Sequence, residues 1–178
     1  MYNEKRSMLN NKDFINILRE KNYEFVLHEH KPVFTVNQAF ELKNKIKGHH
    51  TKNLFLKNKK NLFFLFSCKD DDSIDLKKMS KILNLGSLSF AKEEYLDQHL
   101  KIKPGSVSPF ALLNDAGGEV DFYLEQALYE SKFVNFHPLI NTFTITIETN
   151  NFIEFMIEND KKIHIFSSMQ GKILNTYG

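Results

Sequence analysis

The chain has 178 residues, 42% hydrophobic and 26% charged, with a net charge of +2, which gives one ordinary core and excludes a disordered or membrane-spanning chain. No run approaches 18 uncharged apolar residues, and the polar stretch from Met1 to Lys12 holds no apolar leader, so a cytosolic address without membrane attachment is expected. The single cysteine, Cys68, excludes an internal disulfide and a thiolate zinc cluster.

Residues 12–21 place Phe14, Ile17 and Leu18 on one apolar face of a helix. Tyr23 to Leu27 reads as a strand that Lys31-Pro32 breaks, and Thr35 is a candidate N-cap for a helix through Lys45, closed by Gly48. Asn53–Lys57 and Leu62–Cys68 are short apolar runs joined by Asn58-Lys59-Lys60-Asn61, a hairpin signal. Asp75 to Leu85 puts Leu76, Met79, Ile82 and Leu83 on one face, with Gly86 as the C-cap. Ser87–Ala91 is strand-like, Lys92–Leu100 helical, and 103–110 (KPGSVSPF) a loop. Val120–Leu124 and Thr142–Thr149 have the β-branched and aromatic content of strands in one sheet. Phe152 to Ile157 reads as an amphipathic helix, and Lys162–Phe166 as a final strand before a polar tail. Helices and strands alternate without a strict βαβ rhythm, so an α+β (mixed α/β) single domain is predicted.

Residues 43–60 contain seven lysines, two histidines and no acid, while acids gather at Asp70–Asp72 with Asp75 and near the C-terminus. The molecule should therefore be electrically two-sided, with a basic face suited to a polyanion. A solvated lysine-rich surface is the other reading of the same run.

No dinucleotide, P-loop or zincin motif occurs. His28 and His30 share a strand face, but no third ligand is spaced to join them, so no metal site is expected. His49 and His50 should point in opposite directions, as helpers in anion binding or as a solvated pair. Cys68 beside Lys69 is either a thiol of lowered pKa or a buried structural cysteine. The seventeen phenylalanines read as core.

Three pieces remain: Thr51-Lys52-Asn53-Leu54-Phe55-Leu56, Gly105-Ser106-Val107-Ser108-Pro109-Phe110, and Phe136-His137-Pro138-Leu139 with Asn141-Thr142. Upstream lies His30-Lys31-Pro32-Val33-Phe34-Thr35, and Val120 to Leu124 falls between the last two. In this order and spacing they resemble the YbaK-like superfamily of aminoacyl-tRNA editing domains over about residues 10–166, leaving 1–9 and 167–178 as polar terminal extensions. The resemblance is closest to the freestanding prolyl-tRNA synthetase-associated members, which deacylate alanine mischarged on proline tRNA.

That resemblance implies a mixed, partly closed β-sheet surrounded by helices, and a trans-editing deacylase that needs no cofactor and no metal. It gives Lys52 the terminal adenosine phosphate, Gly105 through Pro109 the aminoacyl carbonyl through backbone amides, and His137 the amino-acid pocket. Thr35, Asn53, Ser106, Val107, Ser108, Pro109, Phe110, Pro138, Asn141 and Thr142 are the implied substrate contacts. Lys45, Lys47, His49, His50, Lys57, Lys59 and Lys60 are the expected tRNA contacts. The implied partners are the aminoacylated end of a proline tRNA and prolyl-tRNA synthetase. Relatives often read N-T-A-T-T after the H-P-L, where this chain has Asn141-Thr142-Phe143-Thr144-Ile145, which leaves cysteine and serine open beside alanine as the residue removed. A non-catalytic tRNA- or synthetase-binding module is the alternative from another class.

Elementary chemistry is consistent with the implied activity. Hydrolysing an aminoacyl ester requires an aimed water and donors for the oxyanion, and a glycine lets backbone N–H groups approach with no Cβ in the way.

Overall fold

Asn10 starts the first helix, its side-chain oxygen accepting hydrogen bonds from the amides of Lys12 and Asp13 and so satisfying two donors that a helix N-terminus leaves open. The helix, α1 (Asn11–Glu20), buries Phe14, Ile15 and Leu18. The computed structural model describes residues 8–32 and 45–178. The helix expected from Thr35 lies outside the described residues except for its end at Lys45.

Nine strands follow: β1 (Phe25–Glu29), β2 (His49–Asn58), β3 (Phe63–Lys69), β4 (Leu88–Phe90), β5 (Val120–Glu125), β6 (Phe133–Phe136), β7 (Phe143–Glu148), β8 (Ile163–Ser167) and β9 (Lys172–Tyr177). They form one mixed sheet in the order β1-β7-β6-β2-β3-β5-β8-β9, with β4 paired to β2. β6 on β2, β5 on β3 and β8 on β5 are parallel; the other pairs are antiparallel. β2 is the pivot. His49 and His50 pair with β6, residues 51–57 with β3 and residues 56–58 with β4.

The β2–β3 turn forms where Asn58-Lys59-Lys60-Asn61 predicts it. Asn58 Oδ1 accepts from the amides of Lys60 and Leu62, and Asn61 takes a positive φ of 56°, which asparagine tolerates better than most residues. Among the helices, α2 (Leu76–Ile82) is capped by Asp75, and α3 (Glu93–Tyr95) runs into a π-helical turn, Leu96–Leu100. A 3-10 turn spans Pro109–Asn114, α4 is Gln126–Tyr129 and α5 is Thr149–Glu158.

Two expectations are corrected, and two elements are new. α2 ends at Leu83 rather than at Gly86, because Asn84 already takes the left-handed conformation at φ 53° that terminates a helix. The strand near 162–166 is not the last, since β9 pairs along it. β6 and α4 had no counterpart in the sequence reading.

β3 explains why the sheet has a core on each side. All of Phe63 to Cys68 are buried, and strand alternation sends Phe63 and Leu65 to one face and Phe64 and Phe66 to the other. The first pair joins the main core with α1, α5 and the 3-10 turn. The second pair meets Met79 and Leu83 at α2, together with Tyr123 and Phe166.

Candidate functional site

The loop at 103–108 is fixed at both ends. The Ser106 amide donates to Lys103 O at 3.1 Å, closing a turn around Gly105, whose φ of +82° strains any side-chain-bearing residue. A Cβ there would lie 3.3 Å from Asn141 Nδ2, so the loop meets the segment after His137. Downstream, Ser108 caps the 3-10 turn: its Oγ accepts from Phe110 N–H and its carbonyl from Ala111 N–H, with Pro109 in the first turn where no N–H is needed. Phe110, expected among the substrate contacts, is instead wholly buried, its ring 4.5 Å from Phe14 and 5.6–5.7 Å from Phe152 and Phe136. It anchors the loop to the core.

On its other side the loop is held by β2. Asn53 Nδ2 donates to Val107 O at 3.0 Å, while Asn53 Oδ1 accepts from Ser67 Oγ at 2.6 Å. Between Gly105 and Pro109, with Ser106 N–H committed and Pro109 lacking one, Gly105, Val107 and Ser108 carry the amides that have no acceptor among the described residues. Gly105 is exposed, Val107 half-buried, and Ser106, Ser108 and Pro109 buried.

His137 lies just beyond β6. Its Nδ1 is 2.8 Å from Phe143 O, so that nitrogen carries the proton and donates. Burial pushes its pKa below the ordinary value, the Phe143 carbonyl opposes this, and His30 reinforces it; the neutral ring is favoured. The His30 ring is 6.1 Å away, and its Nε2 is paired with Thr144 Oγ1 at 2.9 Å. Next along the same face His28 Nε2 meets Thr146 Oγ1 at 3.0 Å, and Thr146 Oγ1 donates to Asn135 Oδ1. Asn135 in turn donates to the carbonyls of Lys47 and His49, and its own carbonyl accepts from Thr51 Oγ1. A polar ladder therefore crosses β1, β7 and β6 to the start of β2. Asn141 and Thr142 are half-buried and Pro138 is buried; Thr142 contributes its carbonyl to His30 N–H at 2.9 Å.

Lys52 is placed differently. Alternation along β2 puts it on the opposite face from Asn53, and among the described residues its ammonium donates to the carbonyls of Asp70 and Asp72 rather than to the 103–108 loop. Asp70 N–H also reaches His50 O at 3.1 Å. The antiparallel β2–β3 pairing thus folds the acidic triplet back onto the basic run, and the expected electrical two-sidedness does not hold at this end. The lysines are divided as well. Lys45, Lys47 and His49 are exposed at the start of β2 and Lys59 and Lys60 at its far end, about 30 Å apart at the usual rise of an extended strand. Lys57 is half-buried, bonded to Asn61 Oδ1 and 4.8 Å from the centre of the Tyr95 ring.

Cys68 is buried, and burial raises its thiol to about 12 against the opposing effect of Lys52. The protonated thiol is no nucleophile at neutral pH, which corrects the reactive-cysteine alternative. Ser67, Asn135, Thr144 and Thr146 are site-forming residues that sequence reasoning missed. For Ser67 the signal was present: a hydroxyl inside an apolar run of strand must find a partner when buried.

The model of the aminoacyl-tRNA editing domain family matches residues 30–155. A prolyl-tRNA editing protein, ProX, from Acetoanaerobium sticklandii is 34% identical over 131 residues, covering 73% of this chain and 80% of that protein. A prolyl-tRNA synthetase associated domain-containing protein 1 from Xenopus laevis is 36% identical over 149 residues, covering 81% and 88%. Among solved structures, a protein described as a candidate trans-editing enzyme for prolyl-tRNA synthetase superposes with a TM-score of 0.64 at 16% identity, covering 88% of this chain and 96% of that one. This last likeness shows the fold.

Proposed function

Because the chain belongs to the aminoacyl-tRNA editing domain family, we propose that it is a trans-editing deacylase that hydrolyses the ester between a mischarged amino acid and tRNA, with alanyl-tRNA(Pro) as its substrate. The observation that carries this reading is the loop held by Asn53, with three amides between Gly105 and Pro109 that have no acceptor among the described residues. Water attacks the ester carbonyl, the amides stabilise the oxyanion, and the ribose 3′ oxygen leaves with a proton. The neighbouring 2′ hydroxyl of the substrate positions the water. An aminoacyl ester is already activated, so the reading calls on no metal and no cofactor.

His137, neutral and with its Nδ1 proton given to Phe143 O, lines the pocket for the amino-acid side chain. Its task there is to admit alanine and exclude the proline ring, because a proline-binding synthetase site cannot reject alanine strongly when missing methylenes are worth only about 1–3 kcal/mol. Lys52 exchanges the Asp70 and Asp72 carbonyls for the phosphate of the terminal adenosine. The exposed Lys45, Lys47 and His49 take the adjoining backbone. The chain works in the cytoplasm on the aminoacylated acceptor end of proline tRNA, beside prolyl-tRNA synthetase. Among the described residues no helix is long and apolar enough to cross a membrane. A panel of proline tRNAs carrying alanine, serine, cysteine or proline, followed for deacylation at fixed salt, tests the proposal.

A further inference from the structure

Ser67 is the only hydroxyl in β3, and it is buried. We infer that Ser67 is a positioning residue for the proposed deacylation, acting through Asn53 to set the direction in which the Ser108 amide points. The catalytic consequence rests on the editing reading; the geometry does not.

The Ser67 hydroxyl donates to Asn53 Oδ1 at 2.6 Å, and Asn53 Nδ2 donates to Val107 O at 3.0 Å. A carboxamide has an acceptor end and a donor end, so the group that bonds the oxygen decides that the nitrogen faces the loop. A weaker contact from Nδ2 to Thr51 Oγ1 at 3.5 Å acts in the same sense. The Val107–Ser108 peptide is trans and planar, so its C=O and N–H point in opposite directions. Pinning Val107 C=O to β2 therefore turns the Ser108 N–H away from the strand. Ser108 is buried, its carbonyl and hydroxyl are both accepting from the 3-10 turn, and its N–H has no acceptor among the described residues. A donor held in one direction is what a developing oxyanion requires, and because Ser108 is wholly buried the substrate has to part the loop for its carbonyl to reach that N–H. Without the Ser67 hydroxyl, Asn53 Oδ1 loses its donor and the carboxamide is held only through Nδ2, so it is free to swing with Val107 O or to leave it. The peptide plane then loses its restraint.

The test compares Ser67→Ala, Ser67→Thr and Asn53→Asp in single-turnover deacylation of alanyl-tRNA(Pro), and in amide hydrogen exchange read at Ser108 by NMR. Asn53→Asp keeps the acceptor for Ser67 but loses the donor to Val107. Ser67→Ala and Asn53→Asp are expected to lower the rate at saturating enzyme by about 10- to 100-fold, below the usual ceiling for losing one oxyanion donor, with half-saturation changed by less than about threefold. Ser67→Thr restores the rate to within about threefold, because the hydroxyl is what matters. Ser108 exchange quickens in the Ala and Asp variants and not in the Thr variant. A wild-type rate in Ser67→Ala, equal losses in the Ala and Thr variants, or unchanged Ser108 exchange in the Ala and Asp variants overturns the inference. If the wild-type chain deacylates no member of the panel, the functional reading fails, and the exchange at Ser108 still decides the relay.

Discussion

Lys52 constrains any mechanism most tightly, because its ammonium is already occupied by the Asp70 and Asp72 carbonyls. If substrate phosphate replaces them, Lys52→Ala should lower kcat/KM for alanyl-tRNA(Pro) by about 10- to 1000-fold, the effect of losing one or two charge-assisted contacts of about 1.5–3 kcal/mol. Single-turnover kinetics measure it, and a change within about twofold would leave Lys52 with the loop alone. Gly105→Ala acts through two routes at once. The left-handed φ costs about 1–2 kcal/mol for a residue with a Cβ, and that Cβ would press on Asn141 Nδ2. The expected outcome is a lower Tm, a rate about 10²- to 10³-fold down and tRNA affinity nearly intact; equal losses in affinity and rate would move Gly105 into binding. For His137 the direction of the pKa fixes a pH response. The folded pKa lies below the ordinary value, so above about pH 6.5 both states are neutral, and as pH falls from there the unfolded chain takes up the proton first. Stability therefore falls below about pH 6.5 until the folded value is passed. His28 and His164 shift in the same direction and add to the decline. His137→Asn, which keeps a donor for Phe143 O, should show a shallower fall in Tm between pH 7.5 and 5.5 than wild type, and an equal slope would contradict the assignment.

Among the elements, β2 organises the molecule. It carries Asn53 on one face and Lys52 on the other, pairs with three strands, and separates two groups of lysine by about 30 Å. Salt dependence can tell those groups apart. Lys45→Gln with Lys47→Gln should reduce the slope of log affinity for tRNA against log salt by about 1–2, whereas Lys59→Gln with Lys60→Gln should change it less, since each phosphate neutralised contributes roughly 0.7–0.9. Equal changes would mean that tRNA runs the length of the strand. Much of β2 was legible because its apolar run and the Asn-Lys-Lys-Asn turn are local signals. The side of the strand on which Lys52 finds its partners was not, because those partners are carbonyls of a loop that only β2–β3 pairing brings close. β6 escaped notice because four residues between Lys132 and His137 make a weak local signal; all four pair with nearby β7, and only Val134 and Asn135 reach His49 and His50, more than eighty positions away. The loop could be placed from Gly105 and its flanking prolines, but not its attachment to Asn53, nor the bond between Asn53 and Ser67 on the neighbouring strand.

At the scale of the whole molecule, fold and site share one set of contacts. Phe110, two residues beyond the Ser108 amide, packs on aromatic rings from α1, β6 and α5, so the loop that would bind the oxyanion is tied to the main core. The polar ladder from His28 to Asn135 occupies the sheet face opposite Val134, Ile145 and Ile147 of that core, where buried threonine and asparagine side chains are satisfied by one another. Charge is less segregated than the sequence suggests, because the acidic triplet folds back beside the start of β2. Under the proposed function, recognition of tRNA then falls to Lys45, Lys47 and His49 rather than to a single basic face. Under the proposed function this chain removes alanine from proline tRNA and spares the cognate ester. Single-turnover deacylation of alanyl-tRNA(Pro) and prolyl-tRNA(Pro), with the enzyme in excess at fixed salt, tests it most directly: rapid loss of alanine with proline retained is the predicted result, and hydrolysis of neither above the buffer rate, or of both at the same rate, would contradict it.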